Sequence, residues 1–455
     1  MPPSPPDTHR PGNLKDLLGA KPLAVEGLFQ SLGQSLGEAY IGAFALFLNA
    51  GAFSLGLVGS VPTAGTALAQ AVAGRLRAGG GGAKRFVARM WSLQAMAYVL
   101  LGACVFVPSG WSIPALVTLA LITWGLAGIT VPSWSALVFG IVPRKRQGEF
   151  FALRGMVQQI GVVVAILGGG ALLAATTSHG LEWLGFLLLF VFAGAARLSG
   201  NSLLSRVPEQ AERGPAADLA AGIGMLRSSA KFRRLCFYLW GLHFGTHVAA
   251  PFFVPYMLRE LELGYGVVGL LIAVPALTKA LTLRFWGRLA DRLGSGVLLR
   301  TAGWLVVPVS ACWMLSGNPW WLMAVQLYSG IAWGAFELSQ AAALVQTTRG
   351  REAAVALFNL ADGLILIAGS LVGGTIIYFS GSLGGSGYLH AFGGSSILRA
   401  LPAAVLLWRI RGVELLKRSH LGLPLRIWAI RPTRGALLRP LGGLGGEEER
   451  DDEGR

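Results

Sequence analysis

The sequence predicts an all-α membrane protein: twelve transmembrane helices in two six-helix bundles related by pseudo-two-fold symmetry. Three observations carry that expectation. Apolar runs of membrane length recur along the chain. The loops between them alternate between basic and nearly uncharged. The same features then return in the second half in the same order. Of the 455 residues 53% are hydrophobic and only 13% charged, with a mean hydropathy of +0.58. Soluble domains carry roughly a quarter charged residues, so this composition belongs to a lipid-embedded chain.

A polar, Pro-containing lead occupies 1–32. Apolar runs follow near 36–53, 56–74, 86–107, 113–138, 155–176 and 183–204. A polar stretch at 205–232 divides the chain, and further runs fall near 235–257, 265–286, 297–315, 320–345, 355–379 and 388–409. Each is long enough for one bilayer crossing. The expected organisation is therefore a cytoplasmic lead (1–32), a first bundle (33–204), a cytoplasmic linker (205–232), a second bundle (233–410) and a cytoplasmic tail (411–455).

The formal net charge is +16. Lys and Arg concentrate in alternate loops, near 75–89, 144–154, 206–234, 284–300 and 349–351, whereas Arg259 is the single Lys or Arg of the opposite loops. Positive charge is retained on the inner side, which places both termini in the cytoplasm. The same placement explains the basicity without nucleic acid. The tail is basic and then acidic; its 425–430 stretch either lies along the inner leaflet or is disordered. Cys104, Cys236 and Cys312 all sit in apolar runs and read as small buried hydrophobes, so no metal site is expected. The start, Met1-Pro-Pro-Ser-Pro-Pro, has no apolar core, and no cleaved secretory peptide is expected.

The internal repeat is explicit. Pro62 and Gly74 return as Pro275 and Gly287, offset by 213. Trp124-Gly125 returns as Trp333-Gly334, offset by 209. Ala152-Leu153 and Gly169-Gly170 return as Ala356-Leu357 and Gly373-Gly374, offset by 204, and Phe190 and Arg197 as Phe392 and Arg399, offset by 202. A slowly shrinking offset is what a tandem duplication with trimmed loops produces.

The stretch Gly287-Arg288-Leu-Ala-Asp291-Arg292-Leu-Gly294 reads as a tight cytoplasmic hairpin, with Gly74-Arg75-Leu76 as its first-half counterpart. It resembles the signature loop of the major facilitator superfamily. Residues 37–44 with 56–62, then 131–134 and 142–154, resemble a bacterial branch of that superfamily with largely unassigned substrates. The resemblance covers all twelve runs. It implies a central cavity that opens to each side in turn, and a cytoplasmic latch at Gly74, Arg75, Gly287, Arg288, Asp291 and Arg292. Ala78 stands where the second half has Asp291, so only the second-half latch is complete. The fifth run lacks the Pro within its Gly cluster that marks drug–proton antiporters, which weakens the drug-efflux alternative without removing it.

An ionisable side chain in a bilayer core costs ~2.5–3.5 kcal/mol on insertion scales, so it faces a cavity or a partner. Glu38, beside Tyr40, either binds substrate or a proton, or is a helix-end carboxylate wetted at the interface. Asn49 is a ligand contact or an interhelical hydrogen bond. Gln158 and Asp362 are repeat-equivalent and suit a cavity at the repeat interface, with Gln159 adjacent; Asp362 alternatively pairs with an Arg. His243 and His247 are four apart and share a face with Trp240. No further metal ligands accompany them, so cavity lining with proton handling is preferred over metal, with packing as the alternative. Glu337 ranks first for proton coupling, with Asp362 and His243; its alternative is a salt bridge to Lys279 or Arg399. Arg197 and Arg399 either bind an anionic substrate or neutralise buried carboxylates.

The expected function is secondary active transport of a small solute across a bacterial cytoplasmic membrane, coupled to protons. The carrier is expected to be a lipid-embedded monomer without cofactor or metal. No nucleotide-binding Gly-x4-Gly-Lys-Ser/Thr loop is present, nor His-Glu-x-x-His or Gly-x-Ser-x-Gly, so neither ATP drive nor an intramembrane enzyme is expected. An efflux antiporter and a non-transporting receptor or scaffold are the alternatives.

Overall fold

The computed structural model describes residues 14–76, 82–142, 147–207, 219–348, 351–380 and 386–409. The first half contains α1 (Leu14–Phe47), α2 (Ala52–Leu76), α3 (Ala83–Gly102), α4 (Ser109–Ile141), α5 (Gln147–Ser178) and α6 (Glu182–Ser205). A short α7 (Leu219–Ser228) follows. The second half contains α8 (Ala230–Ala249), α9 (Phe253–Arg259), α10 (Tyr265–Leu293), α11 (Ser295–Val306), α12 (Pro308–Ala311), α13 (Pro319–Thr348), α14 (Glu352–Ser380) and α15 (Gly387–Arg409). Taking α8 with α9 and α11 with α12 as single interrupted rods, the described residues form six rods before α7 and six after it.

Two boundaries differ from the sequence expectation. The lead does not end at 32: α1 is continuous from Leu14, because one face of that segment (Leu23, Ala24, Glu26) is buried among its neighbours. The hairpin at 287–294 is also narrower than expected. Gly287, Arg288, Asp291 and Arg292 are all helical within α10, and the reversal falls on Gly294 alone, at φ 86. Glycine carries no Cβ and takes that left-handed backbone without strain. Gly74 and Arg75 likewise lie in the last turn of α2.

The duplication is visible in the packing. In the first half α1 packs on α5 and α6, α2 on α4, and α3 on α4 and α6. In the second half α8 packs on α14 and α15, α10 on α13, and α11 on α13 and α15. The two sets are the same under the repeat. The halves meet along two equivalent seams, α2 against α14 and α5 against α10. Small residues make both seams close. A Cβ on Gly56 would lie 2.5 Å from the Ser370 carbonyl oxygen, and one on Gly374 2.9 Å from that of Ala52. On the other seam a Cβ on Gly170 would lie 3.3 Å from Gly269 Cα. Close backbone approach is how helices gain packing in lipid, where no hydrophobic drive separates them from the tails.

The apolar core is divided unequally. At the end where α1 hands over to α2 (the Asn49 end), one cluster joins both halves: Tyr40, Phe44 and Phe186 of the first with Tyr256, Trp313 and Phe392 of the second. Toward the arginine-rich end, where α2–α3, α4–α5 and α10–α11 connect, each half has its own cluster. Leu23, Trp91 and Phe150 belong to one, and Phe232, Leu298 and Phe336 to the other. The halves therefore share one apolar core at the Asn49 end and have separate cores toward the arginine-rich end.

Eight stretches among the described residues are long and apolar enough to cross a bilayer unaided, in α2, α3, α4, α5, α6, α10, α11 with α12, and α14. The chain is an integral membrane protein. Exposed Phe106, Trp111, Trp320 and Tyr378 form an aromatic girdle at the Asn49 end. The rods outside that set (α1, α8 with α9, α13, α15) carry Glu26, Gln30, His243, Glu337, Gln340 and Arg399, and their polarity is what lowers them.

Candidate functional site

The polar side chains of the second half form two pairs. Lys279 Nζ on α10 lies 2.8 Å from Glu337 Oε2 on α13. The lysine side chain is 5% exposed and the glutamate 29%, so the carboxylate is the accessible member. Glu337 thus has the salt bridge that its sequence context allowed, with Lys279 and not Arg399. One helical turn further along α13, Gln340 reaches His243 on α8: Oε1 to Nε2 is 3.1 Å. The other ring nitrogen, Nδ1, is 2.6 Å from Asp362 Oδ1 on α14. A single ring therefore ties α8, α13 and α14 together.

Both imidazole nitrogens face acceptor oxygens, which the doubly protonated ring satisfies by donating twice. Rotating the Gln340 amide by half a turn presents its NH2 instead and suits the neutral ring.

The first half carries different residues at the equivalent positions. At the offset of 213 defined by the prolines, His243 corresponds to Gln30, and Asp362 corresponds to Gln158 at the offset of 204. Gln158 Nε2 donates to Gln30 Oε1 at 3.3 Å, the same interhelical bond made without charge. Lys279 corresponds to Thr66 and Glu337 to Gly128. There the helices simply close up: a Cβ on Gly128 would lie 2.3 Å from the Thr66 carbonyl oxygen. The second half has ionisable pairs at positions where the first has amides and tight packing.

The first half keeps its own charges deeper. Glu26 on α1 is fully buried. Its Oε2 is 2.7 Å from Arg154 Nη2 on α5, and its Oε1 is 3.8 Å from Arg197 Nη1 on α6. Arg154 also donates to Gln30 Oε1 at 2.7 Å and lies 4.4 Å over the Trp134 ring. Arg197 donates to Gln94 Oε1 at 2.7 Å and stacks 4.0 Å over Trp91. Each buried guanidinium thus has the carboxylate, an amide and an indole ring beside it.

The other candidates fall into two groups. Glu38 is half-buried and accepts from Gln34 Nε2 at 3.0 Å, so Gln30, Gln34 and Glu38 make a polar stripe along α1. Trp240 is largely covered by Phe358 and Phe237. The rest pack against neighbouring helices. Tyr40 is completely buried at the α1–α5–α10 crossing, its hydroxyl donating to the Ile166 carbonyl. Gln159 donates to the Ala276 carbonyl at 3.3 Å and belongs to the seam. His247 faces α14 as His243 does, but is buried against Ser370 Oγ at 3.2 Å. Arg399 is 1% exposed and donates to the Val306 carbonyl at 2.8 Å, inside the second bundle.

Asn49 is not on the membrane helix at all. It follows α1 with φ 62, its N–H on Leu46 and the next N–H, of Ala50, on the Ala45 carbonyl. That is a helix-terminating motif in which Asn tolerates the left-handed backbone. Glu26, Arg154, Gln30 and Gln340 are the polar residues that sequence reasoning passed over or placed elsewhere. The four-residue spacing of Glu26, Gln30, Gln34 and Glu38 was the available signal.

The described helices thus form two equivalent bundles with ionisable pairs set between helices. The family model described as Major Facilitator Superfamily matches residues 235–437, and the likeness to solved structures extends over both halves. Over residues 235–437, just under half of the chain, the sequence is similar to the major facilitator superfamily. A bacterial homologue of the iron transporter ferroportin, in an inward-facing state, superposes with a TM-score of 0.66 at 16% identity, covering 87% of this chain and 99% of that one. The nucleoside transporter NupG gives 0.64 at 12% identity, with 86% and 99% covered. A bacterial homologue of the human lysosomal transporter Spinster, inward-facing and occupied, gives 0.61 at 17% identity, with 88% and 96% covered. At these identities the likeness is one of fold. A comparison with curated proteins finds no match.

Proposed function

We propose that the chain carries a small polar solute across the bacterial cytoplasmic membrane by alternating access, with proton movement coupled through Asp362, His243 and Glu337. The observation that carries this is the contrast between equivalent bonds: ionisable His243–Asp362 in one half, neutral Gln30–Gln158 in the other. A proton arriving on Asp362 removes the charge that holds the ring, and the α8–α14 contact loosens. Glu337, half-buried beside Lys279, is the second station. Gln30, Gln34, Glu38 and Gln158 supply hydrogen-bonding groups on the opposite wall. The half-buried state of these side chains supports their facing a cleft between the halves.

The arginine-rich end is cytoplasmic on this reading, which follows from retention of positive charge on the inner side. Both termini are then inside, and the cleft opens inward. The bundles at 33–204 and 233–410 are the rocking bodies. Closing the inner end brings the ends of α2 and α10, with Arg75, Arg288, Asp291 and Arg292, toward the facing half. The carrier acts as a monomer in lipid.

Solutes are found by thermal-shift screening of the purified protein against metabolites and drugs, with Glu337→Gln in parallel. Flux is then measured in sealed liposomes carrying an internal pH dye. Asp362→Asn is expected to retain solute exchange while losing proton-driven accumulation by at least about tenfold, since one station is permanently neutral. Undiminished accumulation by Asp362→Asn would remove this residue from the coupling route.

A further inference from the structure

A notch of about 510 Å³ opens between α3 and α6 at the arginine-rich end, away from the seams between the halves. It is lined by Lys84, Arg85, Asn201, Ser202, Ser205 and Leu198, among others. Lys84 holds the wall in place by donating to the carbonyls of Ser205 (2.7 Å) and Val207, the carbonyl end of α6. Asn201 crosses to α3, donating to the Ala88 carbonyl at 3.1 Å and to Ser92 Oγ at 3.0 Å.

The exposed face of α3 above it is ordered by polarity. Arg85, Arg89, Leu93, Met96 and Leu100 recur at helical spacing and are all exposed. The two basic residues come first, at the membrane-boundary end, and the apolar ones follow toward the bilayer interior. On α6 the exposed Leu198 follows the hydroxyls of Ser202 and Ser205 in the same sense. Cations and hydroxyls at the interface, continued by an apolar furrow between two lipid-facing helices, match an amphiphile with an anionic head. Among the described residues α3 and α6 carry one acidic side chain, Glu182, which lies at the opposite end of α6. Nothing on these helices opposes an anion at the notch.

We propose that this notch is a binding site for one anionic phospholipid of the surrounding leaflet. Its phosphodiester would be held by Arg85, with the Ser202 and Ser205 hydroxyls turning to it from the Ser199 and Ser202 carbonyls to which they donate, and an acyl chain would lie along Leu93, Met96 and Leu198. Charge-assisted bonds to phosphate supply the preference for an anionic head, and the furrow supplies the requirement for a lipid.

The test uses the full-length protein in detergent with phosphatidylglycerol or phosphatidylcholine added at equal concentration, read by native mass spectrometry. One tightly retained phosphatidylglycerol is expected, at least about tenfold preferred over phosphatidylcholine. Arg85→Glu abolishes the preference, and Ser202→Trp, which fills the notch without changing charge, lowers retention similarly. Lys231→Glu, on the exposed start of α8, leaves it unchanged. Thermal melting in phosphatidylcholine confirms that each variant is folded. Equal retention of the two lipids overturns the proposal. So does an equal loss in Lys231→Glu, which signals diffuse attraction, or full displacement by glycerol 3-phosphate, which signals a soluble ligand.

Discussion

Glu26 illustrates how a single carboxylate organises one bundle. It is fully buried, and two guanidiniums from different helices converge on it, each with an amide and an indole as further support. Removing one member of a buried ionic cluster leaves the others desolvated and uncompensated, at a cost of about 3–5 kcal/mol. Glu26→Ala is accordingly expected to lower the thermal midpoint and the yield of folded protein sharply, as read by a melting assay in detergent. Very little of this cluster was legible in the sequence. Glu26 stands in a stretch whose prolines and polar residues look like a lead, and Arg154 stands where a cytoplasmic loop was expected. Their proximity spans 128 residues of chain and exists only because α1 packs on α5. Glu337 and Asp362 were legible, because a carboxylate inside an apolar run stands out on composition alone. Which cation each would take was not.

At the scale of elements, the two seams decide where the halves can part. Both were foreshadowed by repeated small residues, since Gly169-Gly170 and Gly373-Gly374 recur in register and each contributes to a crossing. What the sequence did not announce is the polar tie beside the second seam. Tyr265, at the start of α10, donates to the Glu182 carboxylate at the start of α6, and its ring meets Phe186 edge-on at 5.9 Å. This bond joins the halves at the closed end, so opening that end requires breaking it. Tyr265→Phe keeps the ring and removes the bond. It is expected to enlarge the population with long separations between spin labels at Ser109 and Asn318, measured by double electron–electron resonance. An unchanged distance distribution would show that the aromatic core alone holds that end shut.

For the whole molecule, the duplication was the most legible property, since four landmarks in order fixed the equivalence of the halves before any contact was known. How the apolar clusters are shared between the halves was not legible, because no local pattern encodes it. The unequal sharing has a consequence for biogenesis. Near the arginine-rich end each half completes its own interior, with Trp91 and Phe150 in one and Phe232 and Phe336 in the other. Each is therefore expected to mature in the membrane before meeting its sister, with docking at Tyr256, Trp313 and Phe186 as the last step of assembly. Fragments 1–212 and 213–455, synthesised from separate messages, are expected to co-purify through a tag on either one. Recovery of the tagged fragment alone would mean that the nascent sections depend on being tethered.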